Sequence, residues 1–384
     1  MELLYIANAR IPTEKAHGVA IMKACQAFAR ARHSVRLVVA RRVNALPQDA
    51  HALYGIPEQF PIVRIPTLDL YAYETVLGRA CFVVQAFTFY KLLFLWVLFQ
   101  SRSQVIYTRD APVILLRLLG YRVFFECHSV PRRTPFFFAL ARRASGIVVI
   151  SQGIRKILTS AGIDEKKIIV EPSGVDLSIF DTSLSLAEAR QTLGLPQEKF
   201  ILVYTGSFTT FGEDKGLTDS IRAFALLRDP NVLFLAVGGS EQDRTRYEAL
   251  ARELGVTDAV RLLGPVPQKE LATCQKAADA LLMPFPDIPH YRNHISPVKM
   301  FEYMASKRPI IATDLPTIRE VLYESTAIIV PPGNPEALAA AVRKLRENST
   351  GGKACALRAY ENVRRYTWDV RMQRVAAFIQ RSIL

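Results

Sequence analysis

Ser296-Pro297-Val298-Lys299-Met300-Phe301-Glu302-Tyr303-Met304-Ala305, running on through Lys307-Arg308-Pro309-Ile310-Ile311-Ala312 to Thr313-Asp314, is the stretch on which the reading of this chain turns. Ser296 can cap a helix, Pro297 suits a first helical turn, and Val298, Phe301, Met304 and Ala305 recur at helical spacing. Glu302 lies beside that apolar stripe, an acid placed on a helix to face a cleft. Arg308-Pro309 then breaks the pattern, and Ile310-Ile311-Ala312 reads as a short buried strand ending at Thr313-Asp314. Helix–strand units of this kind build open α/β sheets.

Working outward, the same alternation fills the chain. In the first half strands are expected at Leu3–Ala7, Val35–Val39, Val105–Tyr107, Arg122–Glu126 and Gly146–Ile150, with helices such as Ala20–Ala31 and Ala111–Leu119 between some of them. Turn signals cluster from Asp164 to Leu195, which puts the domain junction around residues 180–198. A second series starts at Phe200, with strands at 201–206, Val232–Val237, Val260–Leu263, Ala280–Met283, Pro309–Ala312 and Ala327–Val330. Helices fit Leu217–Leu227 and Asp243–Leu254, and an amphipathic helix from Thr367 to Leu384 closes the chain. The expected domains are 1–185, 198–365 and a terminal helical segment at 366–384.

The 384 residues are half hydrophobic, enough for two domains with sizeable cores. Mean hydropathy is +0.14. The net charge of +14 is uneven: residues 1–200 hold 25 Lys and Arg against 15 Asp and Glu, and the remainder 24 against 20. That excess favours phosphate-bearing partners. Nucleic acid is not expected among them, because the arginines are scattered and no aromatic-basic element or helix-turn-helix is found. The five cysteines form no CxxC pair, so neither zinc site nor disulfide framework is indicated and a reducing cytoplasm fits. No export signal is read at the N-terminus. Residues 80–99 are apolar on every face except Gln85, Thr88 and Lys91. Lys91 at mid-bilayer would cost about 3 kcal/mol, so a buried core or interfacial helix is preferred to a spanning one.

Chemistry is expected beyond the carboxyl ends of the strands and at helix N-termini. The first strand runs out through Asn8 to Lys15, His17 and Gly18, with a helix starting near Val19; neither GxGxxG nor GxxxxGK is present. A second strand ends at His128, followed by Arg132 and Arg133. Thr205-Gly206-Ser207-Phe208 precedes Asp214-Lys215-Gly216-Leu217, and Glu302 follows His294 by eight positions.

These motifs resemble those of the retaining glycosyltransferases of family 4, group 1, across nearly the whole length. The resemblance implies the GT-B fold: α/β, with two Rossmann-like doubly wound domains facing each other across a cleft and a C-terminal helix crossing back to the first. It implies transfer of a sugar from a nucleoside diphosphate sugar, with no metal and no other cofactor, by front-face attack. By the resemblance His128 contacts the transferred sugar, Lys215 clamps the diphosphate, and Glu302 holds the ribose, the three forming the catalytic set. Gly18, Gly206, Ser207, Val266, His294, Ser296, Pro297 and Lys299 join Lys215 and Glu302 around the donor, and Lys15, His17, Arg109 and Arg132 are acceptor candidates. Two departures stand out. Ser207 occupies a place where relatives carry an arginine, and His294 stands where relatives carry the first of two glutamates.

The acceptor expected from the basic first half and the apolar 80–99 segment is a lipid-linked or cell-surface glycan precursor of polysaccharide biosynthesis. The protein would then be cytoplasmic, in peripheral contact with anionic lipid on the inner face of the plasma membrane. A soluble acceptor, a nucleotide-sugar epimerase, and a catalytically weak homologue that only binds nucleotide or glycan are the alternatives.

Overall fold

The computed structural model describes residues 1–13, 15–44, 46, 49–131, 135–210 and 212–383. The chain divides into two units, residues 1–173 with 368–384, and residues 174–367.

Unit 1 carries seven parallel strands: β1 (Glu2–Ala7), β2 (Ser34–Arg41), β3 (Ile62–Pro66), β4 (Val105–Thr108), β5 (Arg122–Cys127), β6 (Gly146–Val149) and β7 (Ile168–Val170). Their order is β3-β2-β1-β4-β5-β6-β7. Alternation decides which side each residue serves: Leu3, Tyr5 and Ala7 enter one core cluster, Leu4 and Ile6 the other. With both faces covered, the strands read as unbroken apolar runs. The terminal helix, Trp368–Arg381, completes the first face with Trp368, Met372, Val375, Phe378 and Ile379. Phe378 sits edge-on to Phe124, ring centroids 6.0 Å apart. Its approach needs Gly146, where a Cβ would fall 2.8 Å from both rings.

Unit 2 carries β8 (Phe200–Thr205), a short hairpin of β9 (Thr209–Thr210) and β10 (Glu213–Asp214), then β11 (Val232–Val237), β12 (Val260–Leu263), β13 (Ala280–Met283), β14 (Ile310–Thr313) and β15 (Ile328–Val330). Its six-stranded parallel sheet has the order β12-β11-β8-β13-β14-β15. Ile201 and Val203 face one cluster, Leu202 and Tyr204 the other. In each unit the strand order reverses beside the first strand, and there ligands of open α/β sheets bind, outside the strand carboxyl ends.

The differences from the sequence reading have physical causes. Residues 174–198 belong to unit 2: the Val175 amide donates to Tyr366 O at 2.9 Å, and Phe180 and Ala189 enter the core under β8. Strands β3 and β7, absent from the sequence reading, are the two edges of their sheet; one is bounded by Pro61 and Pro66, the other is three residues long. The first helix starts at Ala16 instead of near Val19, so Gly18 lies inside it. Residues 111–119 form a 3-10 helix, ended by Gly120 in the left-handed region at φ 89°. The 298–305 helix has Pro297, not Ser296, at its N-cap position, and Pro297 makes no side-chain cap hydrogen bond.

The 79–97 helix corrects the core-helix expectation. Only Cys81, Gln85, Phe89, Leu93 and Val97 are buried, one residue per turn along a single stripe. Phe82, Val83, Phe87, Leu95, Leu98 and Phe99 are each at least half exposed.

Candidate functional site

In unit 2 the site grows from the end of β8. Gly206 has φ 106° and Gly238, at the end of β11, φ 116°, conformations for which glycine is the natural residue. A Cβ on Gly238 would fall 2.7 Å from Gly206 O, so the two strand ends meet backbone to backbone. The first turn of the 298–305 helix delivers Lys299 to the same place, its Nζ 3.7 Å from where a Gly206 Cβ would stand. The ammonium lies 3.4 Å from the centre of the Tyr204 ring and 5.3 Å from that of Phe285. Those aromatic faces attract the charge. Among the described residues Nζ finds no hydrogen-bond partner, although Lys299 is only 9% exposed. Burial, reinforced by the neighbouring Lys215, pushes its pKa well below the ordinary lysine value.

Lys215 Nζ donates to Ser207 Oγ at 2.7 Å, so the residue in the arginine's place orients the remaining lysine. Burial lowers the Lys215 pKa to about 8. Gly216 follows with φ 92°, and a Cβ there would land 1.7 Å from Pro284 O. The helix Leu217–Leu227 does not offer its amino end to a ligand: Asp214 accepts from the amides of Gly216, Leu217 and Thr218 at 2.7, 2.8 and 3.1 Å. The helix N-termini at which chemistry is expected do not include this one, and Lys215 and Lys299 are the lysines at the end of β8 among the described residues.

Glu302 is buried one turn further along the Lys299 helix and accepts from Gln275 Nε2 at 3.2 Å. Gln275 lies 3.3 Å from Thr205 Oγ1, and the Thr205 amide donates to Tyr303 Oη at 2.8 Å. Glu302 is thereby locked beside the β8 end. Desolvation raises its pKa to about 7, against the pull of Gln275 and Lys299. His294 is half-buried, its Nε2 unpartnered among the described residues. Ser296 is buried and Pro297 stands at the N-cap position of the helix, while Val266, after β12, packs on the core under β8.

In unit 1, His128 follows β5, and its Nε2 lies 2.7 Å from Glu126 Oε1. Arg109 donates to the same oxygen at 3.1 Å, so this acceptor candidate is tied into the protein. Burial first, then the Arg109 charge, lowers the His128 pKa to about 4, and the ring is neutral at pH 7. Lys15 and His17 are exposed on the wall of a cavity of about 540 Å³, shared with Asn8, Arg10, Arg42 and Asp69. Gly18 serves packing: a Cβ would fall 2.3 Å from Thr13 Cγ2 and 2.6 Å from Tyr54 Oη. Arg132 lies outside the described residues. Gln275, Tyr204 and Glu126 carry no motif signal, and the role of Asp214 is not given by the motif it opens. Each acts across a turn or a long sequence separation, which periodicity does not reveal.

Two doubly wound parallel sheets in succession are the GT-B architecture, and the crystal structure of HepE from Anabaena in complex with UDP superposes on it with a TM-score of 0.75. That likeness covers 99% of this chain and 100% of the other at 16% identity, and it shows the fold. A family model described as glycosyltransferase family 4 matches residues 18–179, and one described as glycosyl transferases group 1 matches residues 199–348. The chain belongs to the family 4, group 1 glycosyltransferases. It is 28% identical over 237 residues to a D-inositol 3-phosphate glycosyltransferase of Thermomonospora curvata, covering 58% of this chain and 53% of the relative. It is 29% identical over 204 residues to a phosphatidyl-myo-inositol mannosyltransferase of Mycolicibacterium smegmatis, covering 52% and 48%. The matched stretch thus spans about half the length of these curated relatives.

Proposed function

We propose that the protein is a retaining, metal-independent glycosyltransferase that moves a sugar from a nucleoside diphosphate sugar to an acceptor hydroxyl. The observation that carries this reading is the desolvated ammonium of Lys299, held over Tyr204 beside Gly206 and Lys215. A buried amino group without a hydrogen-bond partner among the described residues is costly, and a diphosphate at the β8 end would supply one. UDP in the HepE complex makes a nucleoside diphosphate the natural ligand to test.

In this mechanism Lys215 and Lys299 stabilise the charge that develops on the departing diphosphate. Lys299 takes the part that Ser207 leaves open, which weakens the case for a binding-only homologue. Glu302, held by Gln275, receives the ribose hydroxyls, and His128 meets the sugar ring. The anomeric carbon–phosphate oxygen bond breaks while a bond to the acceptor oxygen forms on the same face. The acceptor's proton passes to the leaving phosphate oxygen.

For the acceptor we propose a lipid-linked or cell-surface glycan precursor at the cytoplasmic membrane face. The exposed apolar face of the 79–97 helix supports it, since large exposed apolar patches mark contact sites and a basic surface is drawn to anionic lipid.

The test is NMR of the product sugar formed from a panel of UDP-, GDP- and ADP-sugars. Retention at the anomeric carbon is expected, with turnover lost in Lys215→Ala and Glu302→Gln. Unchanged turnover in both variants would refute the assignment.

A further inference from the structure

The ions around Glu126 do more than neutralise one another. Glu126 is fully buried near the end of β5, two residues before His128. Its Oε1 accepts from Arg371 at 2.9 Å and Arg109 at 3.1 Å, and its Oε2 accepts from Tyr107 Oη at 2.5 Å. Arg371 comes from the terminal helix, and its Nε also donates to Pro172 O at 2.7 Å. Two guanidinium groups on one carboxylate keep Glu126 ionised, so it can only accept hydrogen bonds. The proton in its 2.7 Å contact with His128 therefore sits on Nε2 of the imidazole. A neutral ring carries one N–H, so Nδ1 is left as an acceptor.

We propose that Arg371 is a positioning residue for His128: through Glu126 it fixes the ring's orientation and its Nε2–H tautomer, so that Nδ1 meets the sugar as an acceptor from a hydroxyl. The sugar contact rests on the function proposed above; the tautomer rests on the geometry of unit 1 alone. The terminal helix thereby becomes part of the site's support, beyond its apolar packing.

Long-range ¹H–¹⁵N NMR of histidine-labelled full-length protein without ligand, at pH 7, tests this directly, with the His128 signals assigned by His128→Gln. The wild type is expected to show the Nε2–H tautomer. In Glu126→Gln the two guanidinium groups hold the amide oxygen in the place of Oε1, so the Nε2–H tautomer should persist; Arg371→Met should give a mixture, partly restored by Arg371→Lys. In turnover, Arg371→Met should lower kcat about 10- to 100-fold with the KM for the nucleotide sugar unchanged, the usual cost of losing a group that orients an active side chain. An Nδ1–H tautomer in the wild type or in Glu126→Gln, or a tautomer indifferent to Arg371→Met, would overturn the proposal. If Arg371→Met does not fold, the wild-type and Glu126→Gln spectra decide alone. The expected tautomers with unchanged kcat would leave the positioning intact and overturn the placing of His128 at the sugar.

Discussion

Lys299 pays a desolvation cost that a bound anion would relieve, and this fixes opposite signs for stability and binding. Lys299→Met removes a buried amino group that has no hydrogen-bond partner among the described residues and should raise the unfolding free energy of the ligand-free protein by about 1 kcal/mol. The same change should weaken nucleoside diphosphate binding about 10- to 100-fold, the worth of one hydrogen bond to a charged group. Calorimetric melting and titration of one variant check both signs. Lys215 sets the pH dependence. With its pKa lowered to about 8, its ammonium is charged below that pH and neutral above, so affinity should fall as pH rises through about 8. In Lys215→Met that fall should vanish from the titrations. Lys215, Lys299 and Glu302 are legible in the sequence because each sits in a short motif next to a strand end. Asp214 is not, since a carboxylate before Lys-Gly reads as turn polarity until its three amide contacts are seen. Nor is Gln275, whose contacts with Thr205 and Glu302 span 70 and 27 residues.

At the scale of elements, the central strands and the 217–227 helix read off the sequence to within a residue or two, because burial on both faces leaves unbroken apolar runs. Edge strands β3 and β7 escape because their partners, more than their residues, make them strands. The 79–97 helix shows the opposite limit: its composition is apolar all round, and nothing in it says which stripe is covered. Its exposed face predicts membrane binding. Phe82→Ser with Phe87→Ser should reduce sedimentation with anionic liposomes at low salt and leave nucleotide affinity unchanged; full retention on liposomes would remove this helix from the membrane account. The terminal helix makes a stability prediction. Phe378→Ala should cost about 3–5 kcal/mol, the range for emptying a buried aromatic site, read as a lowered urea midpoint. Gly146→Ala should also destabilise, because its methyl would meet the Phe124 and Phe378 rings.

For the whole molecule, the repeated strand order is what makes the two-unit organisation readable: the second sheet restarts the pattern of the first at β8. The junction is less legible. Turn-rich sequence from 164 to 195 marks it only broadly, while the core contacts of Phe180 and Ala189 and the Val175–Tyr366 bond assign 174–198 to unit 2. Family membership follows from both halves, matched by separate models. We propose that the end of β8 is a diphosphate site whose charge comes from Lys215 and Lys299. Isothermal titration with UDP, GDP and ADP, in wild type and in Lys215→Met/Lys299→Met, tests it most directly. At least one diphosphate is expected to bind the wild type, and the double variant, folded and no less stable, should bind it at least 100-fold more weakly. Equal affinity in the two proteins would contradict the account.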